Sequence, residues 1–263
     1  MLSVQNLSIK FKMYDTALSQ SQSTAIVNLD LEVNSSQIVA VVGASGSGKS
    51  LLAHAILGIL PDNAAITGEI IYKGEILTPQ RQIKLRGKEI TLIPQSISYL
   101  NPLMTVGAHI TRAARLNGLS ANHAKQAVDK ILERYELDIS VKKIYPFQLS
   151  GGMARRVLVA TATIGNPDLI IADEPTSSLN PELVTETLNH LRQLANAGKG
   201  VILITHDLLA ALEVADKVAV FYKGTTLEVV LPSDFKQGKL KHPYTQALWK
   251  ALPQNDFIPT LFV

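Results

Sequence analysis

The 263-residue sequence has no cysteine. That excludes a disulfide scaffold, a Cys-ligated metal centre and a thiol nucleophile, and it suits a reducing compartment. It also lacks a membrane-spanning run. The longest stretch without a charged residue, 90–111, is interrupted by Pro94, Gln95, Asn101, Pro102 and His109, whereas a spanning helix needs about 20 mostly apolar residues. The opening Met1-Leu-Ser-Val-Gln shows no basic region followed by an apolar block, so no secretory signal is expected. Excess charge is scarce: 25 Lys and Arg against 22 Asp and Glu leave +3, too little to argue for a nucleic-acid partner. No internal repeat is present. What remains is ordinary globular composition, 46% hydrophobic and 18% charged, in a length suited to one large domain or two compact ones. A soluble chain is expected.

Apolar alternation over residues 2–11 and 25–33 predicts two strands, with the polar Ser/Gln tract 19–24 as a solvated connection. Residues 38–42 form a short apolar run ending in a glycine-rich turn, and 51–60 are apolar at helical spacing up to Pro61. Residues 69–72 and 89–93 read as further strands. Between 96 and 165 the texture turns helical, with candidates at 105–116, at 121–135 capped by Ser120, and from Gly151 onward. Strand and helix then alternate: 169–172, 181–197, 201–204, 208–214 and 218–221. Such alternation implies a mostly parallel sheet covered on both faces, with the helical block as an insertion in an α/β core.

Gly43-Ala-Ser-Gly-Ser-Gly48-Lys49-Ser50 matches G-x-x-x-x-G-K-[ST] at each fixed position. Glycines let backbone N–H groups turn toward phosphate oxygens, and the following helix points its positive end at the same anion. The candidate phosphate-binding residues are Gly43, Ser45, Gly46, Ser47, Gly48, Lys49, Ser50 and Leu51. Lys49 supplies charge to the terminal phosphates, and the Ser50 hydroxyl is placed for Mg²⁺. The apolar strand 169–172 delivers Asp173 and Glu174 at its end, where ligands bind in open α/β sheets. Asp173 is expected to hold Mg²⁺ and Glu174 to polarise the attacking water. Leu149-Ser150-Gly151-Gly152-Met153 opens a helix and offers a second amide-rich anion site.

The order along the chain (phosphate loop, Gln95, Leu-Ser-Gly-Gly, carboxylate pair, His206) resembles the nucleotide-binding subunits of ABC transporters over essentially the whole sequence. The resemblance implies a P-loop NTPase, RecA-like α/β fold with a mostly parallel sheet, an N-terminal antiparallel β portion and an inserted α-helical subdomain. The core would take residues 1–95 and 166–263, and the helical subdomain 96–165. It implies that Ser150, Gly151 and Gly152 bind the γ-phosphate of an ATP held by an opposite subunit. Gln95 would reach Mg²⁺ and the attacking water, His206 would contact the γ-phosphate and orient Glu174, and Phe11, or alternatively Tyr14, would stack on adenine. Related sequences usually carry Ser-Ala-Leu-Asp where this chain reads Ser177-Ser178-Leu179-Asn180. Asn keeps the shape but loses the charge, so two unequal composite sites are expected.

Ser98-Tyr-Leu-Asn-Pro-Leu-Met-Thr-Val-Gly107, Tyr145-Pro-Phe-Gln-Leu-Ser-Gly-Gly-Met153 and His242-Pro-Tyr-Thr-Gln-Ala-Leu248 with Ala251-Leu-Pro253 resemble the dipeptide, oligopeptide and nickel importer branch. That branch implies an ATP-hydrolysing subunit on the cytoplasmic face of the cell membrane. Its partners would be two integral membrane permease subunits, a second ATP-binding subunit (a paralogue or another copy) and an extracytoplasmic solute-binding protein. The cargo would be a peptide, nickel or a metal chelate. The alternatives are an ABC-type ATPase of DNA repair or chromosome maintenance, a translation factor, or a P-loop metabolic kinase. Against them stand the lack of sustained heptads between Lys49 and Asp173, the single cassette, and the presence of both Leu-Ser-Gly-Gly and His206.

Overall fold

The computed structural model describes residues 1–15, 19–177, 179–252 and 255. The Tyr14 side chain, Ser178 and Pro253, named in the motifs above, lie outside the described residues.

The chain opens with an antiparallel hairpin, β1 (Leu2–Asp15) and β2 (Ser19–Val33). The tract expected to be a connection is strand: Ser19 to Thr24 pair with Asp15 to Lys10. Backbone ladder bonds do not require apolar side chains, so a polar run does not by itself end a strand. β3 (Ile38–Val42) runs through the glycine turn into α1 (Lys49–Leu57). α1 stops before Pro61, because Gly58 adopts φ 63° and returns its amide to the His54 and Ala55 carbonyls. β4 (Ala64–Tyr72), β5 (Glu75–Ile76), α2 (Pro79–Leu85) and β6 (Ile90–Ile93) follow. α2 buries none of its residues, so no apolar stripe announced it.

The three expected helices are α3 (Val106–Leu116), α4 (Ala121–Arg134) and α5 (Gly151–Thr163), with Thr105, Ser120 and Ser150 accepting from the amides three residues ahead. These caps satisfy first-turn donors that have no partner within the helix. The alternation then resumes with β7 (Leu169–Asp173), α6 (Pro181–Asn196), β8 (Gly200–Thr205), α7 (Leu208–Val214) and β9 (Lys217–Tyr222). β10 (Thr225–Val230), α8 (Pro232–Lys236) and α9 (Pro243–Lys250) complete the described fold.

One sheet has the order β2-β1-β4-β5 and is antiparallel. The other has the order β10-β9-β3-β8-β7-β6; all its neighbours are parallel except β10 with β9. The interior strands β3 and β8 are buried along their whole length, on both faces, which is why they read as apolar runs, whereas the edge strand β10 is only half-buried and carries Thr225, Thr226 and Glu228. Ile38, Ala40, Val42, Ile170, Ala172, Val201 and Leu203 face a core shared with α3–α7 and with Phe235 and Tyr244. Val39, Val41, Leu169, Ile171, Ile202 and Ile204 face a second core shared with α1 and the antiparallel sheet. Among the described residues no helix is long and apolar enough to cross a membrane.

Ile171 is fully buried on an interior strand. Ile171→Ala is expected to cost about 2–5 kcal/mol. In urea unfolding it should move the midpoint down without changing the slope; an unmoved midpoint would contradict this packing.

Candidate functional site

Strand register assembles the site. In the parallel ladder Val42 lies opposite Thr205, Asp173 opposite Ile204, and Ile93 opposite Ala172. Gly43, Gln95, Glu174 and His206 therefore each emerge within two residues of a strand end on one edge of the sheet. A cleft of about 480 Å³ opens there. It is lined by Ser45, Gly46, Gly48, Lys49, Ser50 and Leu51 from the loop and α1, together with Gln95, Glu174 and His206.

Behind the cleft the loop is tightly backed. A Cβ on Gly43 would overlap the Phe221 carbonyl oxygen, and Gly48 takes φ 96° to enter α1. Lys49 is 7% exposed, and its Nζ donates to the Gly43 and Ala44 carbonyls at 2.8 and 2.9 Å. Burial lowers the Lys49 pKa, opposed by the negative charges of Glu174 and Asp173. The Ser47 hydroxyl is buried without a hydrogen-bond partner. A concave loop with an ammonium, an unsatisfied hydroxyl and a helix N-terminus suits a polyphosphate.

The two carboxylates at the end of β7 have different partners. Ser50 Oγ donates to Asp173 Oδ1 at 3.2 Å, tying α1 to β7. Burial raises the Asp173 pKa, with the Ser50 hydrogen bond acting against it and the Glu174 charge adding to it. Glu174 Oε2 lies 2.8 Å from His206 Nδ1. The Glu174 side chain is 13% exposed and that of His206 64%, so the histidine is the member open to solvent. Glu174 has φ 46°, a left-handed backbone uncommon outside glycine, and its amide donates to the Ile204 carbonyl at 2.8 Å.

Of the groups expected to hold a cation, the Ser50 hydroxyl and the Gln95 amide line the cleft, and the Asp173 carboxylate is bonded to Ser50. All offer oxygen, which suits a hard divalent ion such as Mg²⁺. No group of three or more His, Cys, Asp or Glu able to hold a metal occurs among the described residues.

A family model described as ABC transporter matches residues 26–177. The chain belongs to the ABC transporter family. The oligopeptide transport ATP-binding protein OppD of Lactococcus lactis subsp. cremoris (strain SK11) is 36% identical over 243 residues, covering 89% of this chain and 72% of that protein. The oligopeptide transport ATP-binding protein AmiE of Streptococcus pneumoniae serotype 4 is 34% identical over 263 residues, covering 96% and 72%. The dimeric structure of MJ0796, a bacterial ABC transporter cassette, superposes with a TM-score of 0.77 at 25% identity, covering 88% of this chain and 99% of the cassette. A post-hydrolysis dimer of the same cassette with ADP and Pi gives 0.76 at 24% identity, with the same coverage. The chain is thus an ABC-type, transport-coupled ATPase, similar to relatives named for oligopeptide transport. These relatives favour that reading over DNA repair or translation.

Other expected site residues of this ATPase stand apart from the cleft. Ser150 and Gly151 are exposed at the start of α5, where Ser150 Oγ accepts from the Met153 amide at 3.4 Å. Gly152 is buried, and a Cβ there would lie 2.9 Å from Leu183 Cδ2, a contact that the end of this flexible side chain relieves by shifting. Phe11 lies on β1 opposite Ser23 and Ala64, half-buried beside the α1-side core and outside the cleft lining. Asn180 caps α6 by accepting from the Leu183 amide at 2.9 Å, a task that Asp and Asn perform alike.

Two residues near the site escaped the motif reading. Arg155 sits on the buried face of α5, and a signal existed: a basic residue inside an apolar helical stripe. Tyr244 of α9 packs on Tyr222 with ring centroids 4.3 Å apart and is hydrogen-bonded to the Ala44 backbone. Only the three-dimensional return of the C-terminal segment brings it there.

Gly43→Ala must displace the loop from Phe221. It is expected to raise the Kd for ATP at least about tenfold, ~1.4 kcal/mol, in calorimetric titration. An unchanged Kd would show that the loop tolerates displacement from Phe221.

Proposed function

We propose that the cleft is the hydrolytic site for MgATP and that this chain powers peptide import through a membrane permease. Lys49, the loop amides and the α1 N-terminus neutralise the phosphates, while Ser50, Asp173 and Gln95 hold Mg²⁺. Held by Ser50, Asp173 and Gln95, Mg²⁺ would supply positive charge against the negative charge that develops during transfer. Glu174 takes a proton from the attacking water as oxygen adds to the γ-phosphorus, and ADP departs. His206, 2.8 Å from Glu174, orients the carboxylate and contacts the γ-phosphate. The convergence of Lys49, Ser50, Gln95, Glu174 and His206 on one cleft carries the reading.

Ser150, Gly151 and Gly152 then act across an interface, on nucleotide held by a companion ATPase. The exposure of Ser150 and Gly151, apart from the chain's own cleft, supports this. The nucleotide is shared by both halves only in the closed pair, so its presence shifts an open–closed equilibrium. Phe11 is the adenine-stacking candidate. Residues 1–95 with 166–263 form the ATP-binding core, and 96–165 form the helical unit that receives the permease. The companion is a paralogue or a second copy. Two permease subunits and an extracytoplasmic solute-binding protein complete the importer, with this chain on the cytoplasmic face. Peptide is favoured over nickel or a metal chelate because the relatives named above are oligopeptide transport proteins.

Glu174→Gln keeps shape and hydrogen bonding but removes the base. Phosphate release at this site is expected to fall at least about 100-fold, with nucleotide affinity retained. Undiminished release, after correction for the companion site, would refute the assignment.

A further inference from the structure

Arg155 is buried, 6% exposed, and enters none of the ion pairs among the described residues. Its guanidinium instead bonds three carbonyls on two stretches of backbone. Nη1 donates to the Pro94 carbonyl at 2.9 Å, and Nη2 donates to the Gln95 carbonyl at 3.2 Å and to the Glu174 carbonyl at 3.4 Å. Burial drags its pKa down to about 10, so the fold holds this charge against its own preference. Charged groups buried without an opposite charge destabilise a fold unless their donors are well satisfied. Here the acceptors are the backbone of the two segments that carry Gln95 and Glu174 into the cleft.

The strained conformation at Glu174 gives the contact a task. A left-handed φ of 46° at a non-glycine residue persists only where its surroundings over-determine it. The Glu174 amide is held by the Ile204 carbonyl, and the Glu174 carbonyl accepts from both Ser177 N, at 3.2 Å, and Arg155. The planar, rigid fork of arginine fixes the separation of the groups it bridges, which a point-charge ammonium cannot do. Arg155 also belongs to the helix that Ser150 opens, so a shift of α5 is transmitted to Gln95 and Glu174 together.

We infer that Arg155 is a positioning residue that ties the helix carrying Ser150–Gly152 to the backbone of Gln95 and Glu174, so that the cleavage geometry of the cleft depends on the seating of that helix. This rests on the reading of Gln95 and Glu174 as catalytic.

The test compares Arg155→Gln and Arg155→Lys in the full chain, recovered with its membrane complex for turnover and purified without nucleotide for amide exchange. For Arg155→Gln, kcat should fall at least about tenfold with the Kd for ATP within about twofold of wild type, because Arg155 does not touch the phosphate loop. Arg155→Lys keeps the charge without the fork and should fall between. Exchange should quicken at 95–100 and 174–177 while 43–50 stays as in wild type. If Arg155→Gln does not fold, a loss of at least about threefold in kcat at constant Kd in Arg155→Lys, with the same exchange pattern, sustains the inference. Wild-type kcat in the folded variants, or parallel losses of Kd and phosphate-loop protection, overturns it. Glu174→Gln serves as the control. If it retains turnover, the catalytic reading falls; if it loses turnover while the Arg155 variants do not, only the role of Arg155 falls.

Discussion

The parallel ladder β3-β8-β7-β6 is the constraint on which everything else depends. Its register places Gly43, His206, Glu174 and Gln95 just beyond neighbouring strand ends. The strands cannot slip by one residue, because each face packs into a different core and a slip would exchange them. Apolar packing far from the chemistry thus determines where the chemistry happens. The Ser50–Asp173 hydrogen bond and the Glu174–His206 pair are consequences of that register, since each joins side chains from different strand–loop units.

Burial then sets the electrostatics. Lys49 and Asp173 are both penalised by desolvation, in opposite directions on the pH scale. A buried ammonium favours an incoming polyanion, and a buried carboxylate favours an incoming cation. A polyphosphate and a divalent cation, bound as proposed, would therefore relieve complementary costs within one site. Such differential stabilisation is the physical requirement for a nucleotide to bias a conformational equilibrium.

Much of this architecture was legible from residue order. The strand–glycine turn–helix at 38–57, the capped helices after Thr105, Ser120 and Ser150, and the final β/α alternation follow from periodicity and cap chemistry. Elements lacking an apolar stripe were harder to read. The polar part of β2 is held by backbone pairing to β1, and α2 buries nothing. At the site, the motif residues Lys49, Glu174 and His206, expected from the sequence to meet, do line one cleft. Arg155 left only the trace of a basic residue in an apolar stripe, and Tyr244 none, because their partners are backbone atoms of segments remote in sequence. Such contacts leave no spacing pattern. The Asn180 departure also changes meaning in three dimensions: its side chain is engaged in capping α6, so the lost charge does not cost the helix its start.

The central claim is that the loop at the end of β3 grips a triphosphate through the buried Lys49. Equilibrium titration of the full chain with MgATP, wild type against Lys49→Ala, tests it most directly, with circular dichroism to verify the fold. The account predicts saturable binding by wild type and a Kd at least about tenfold higher in the variant, a difference of ~1.4 kcal/mol or more. Equal affinity in two equally folded proteins would contradict it.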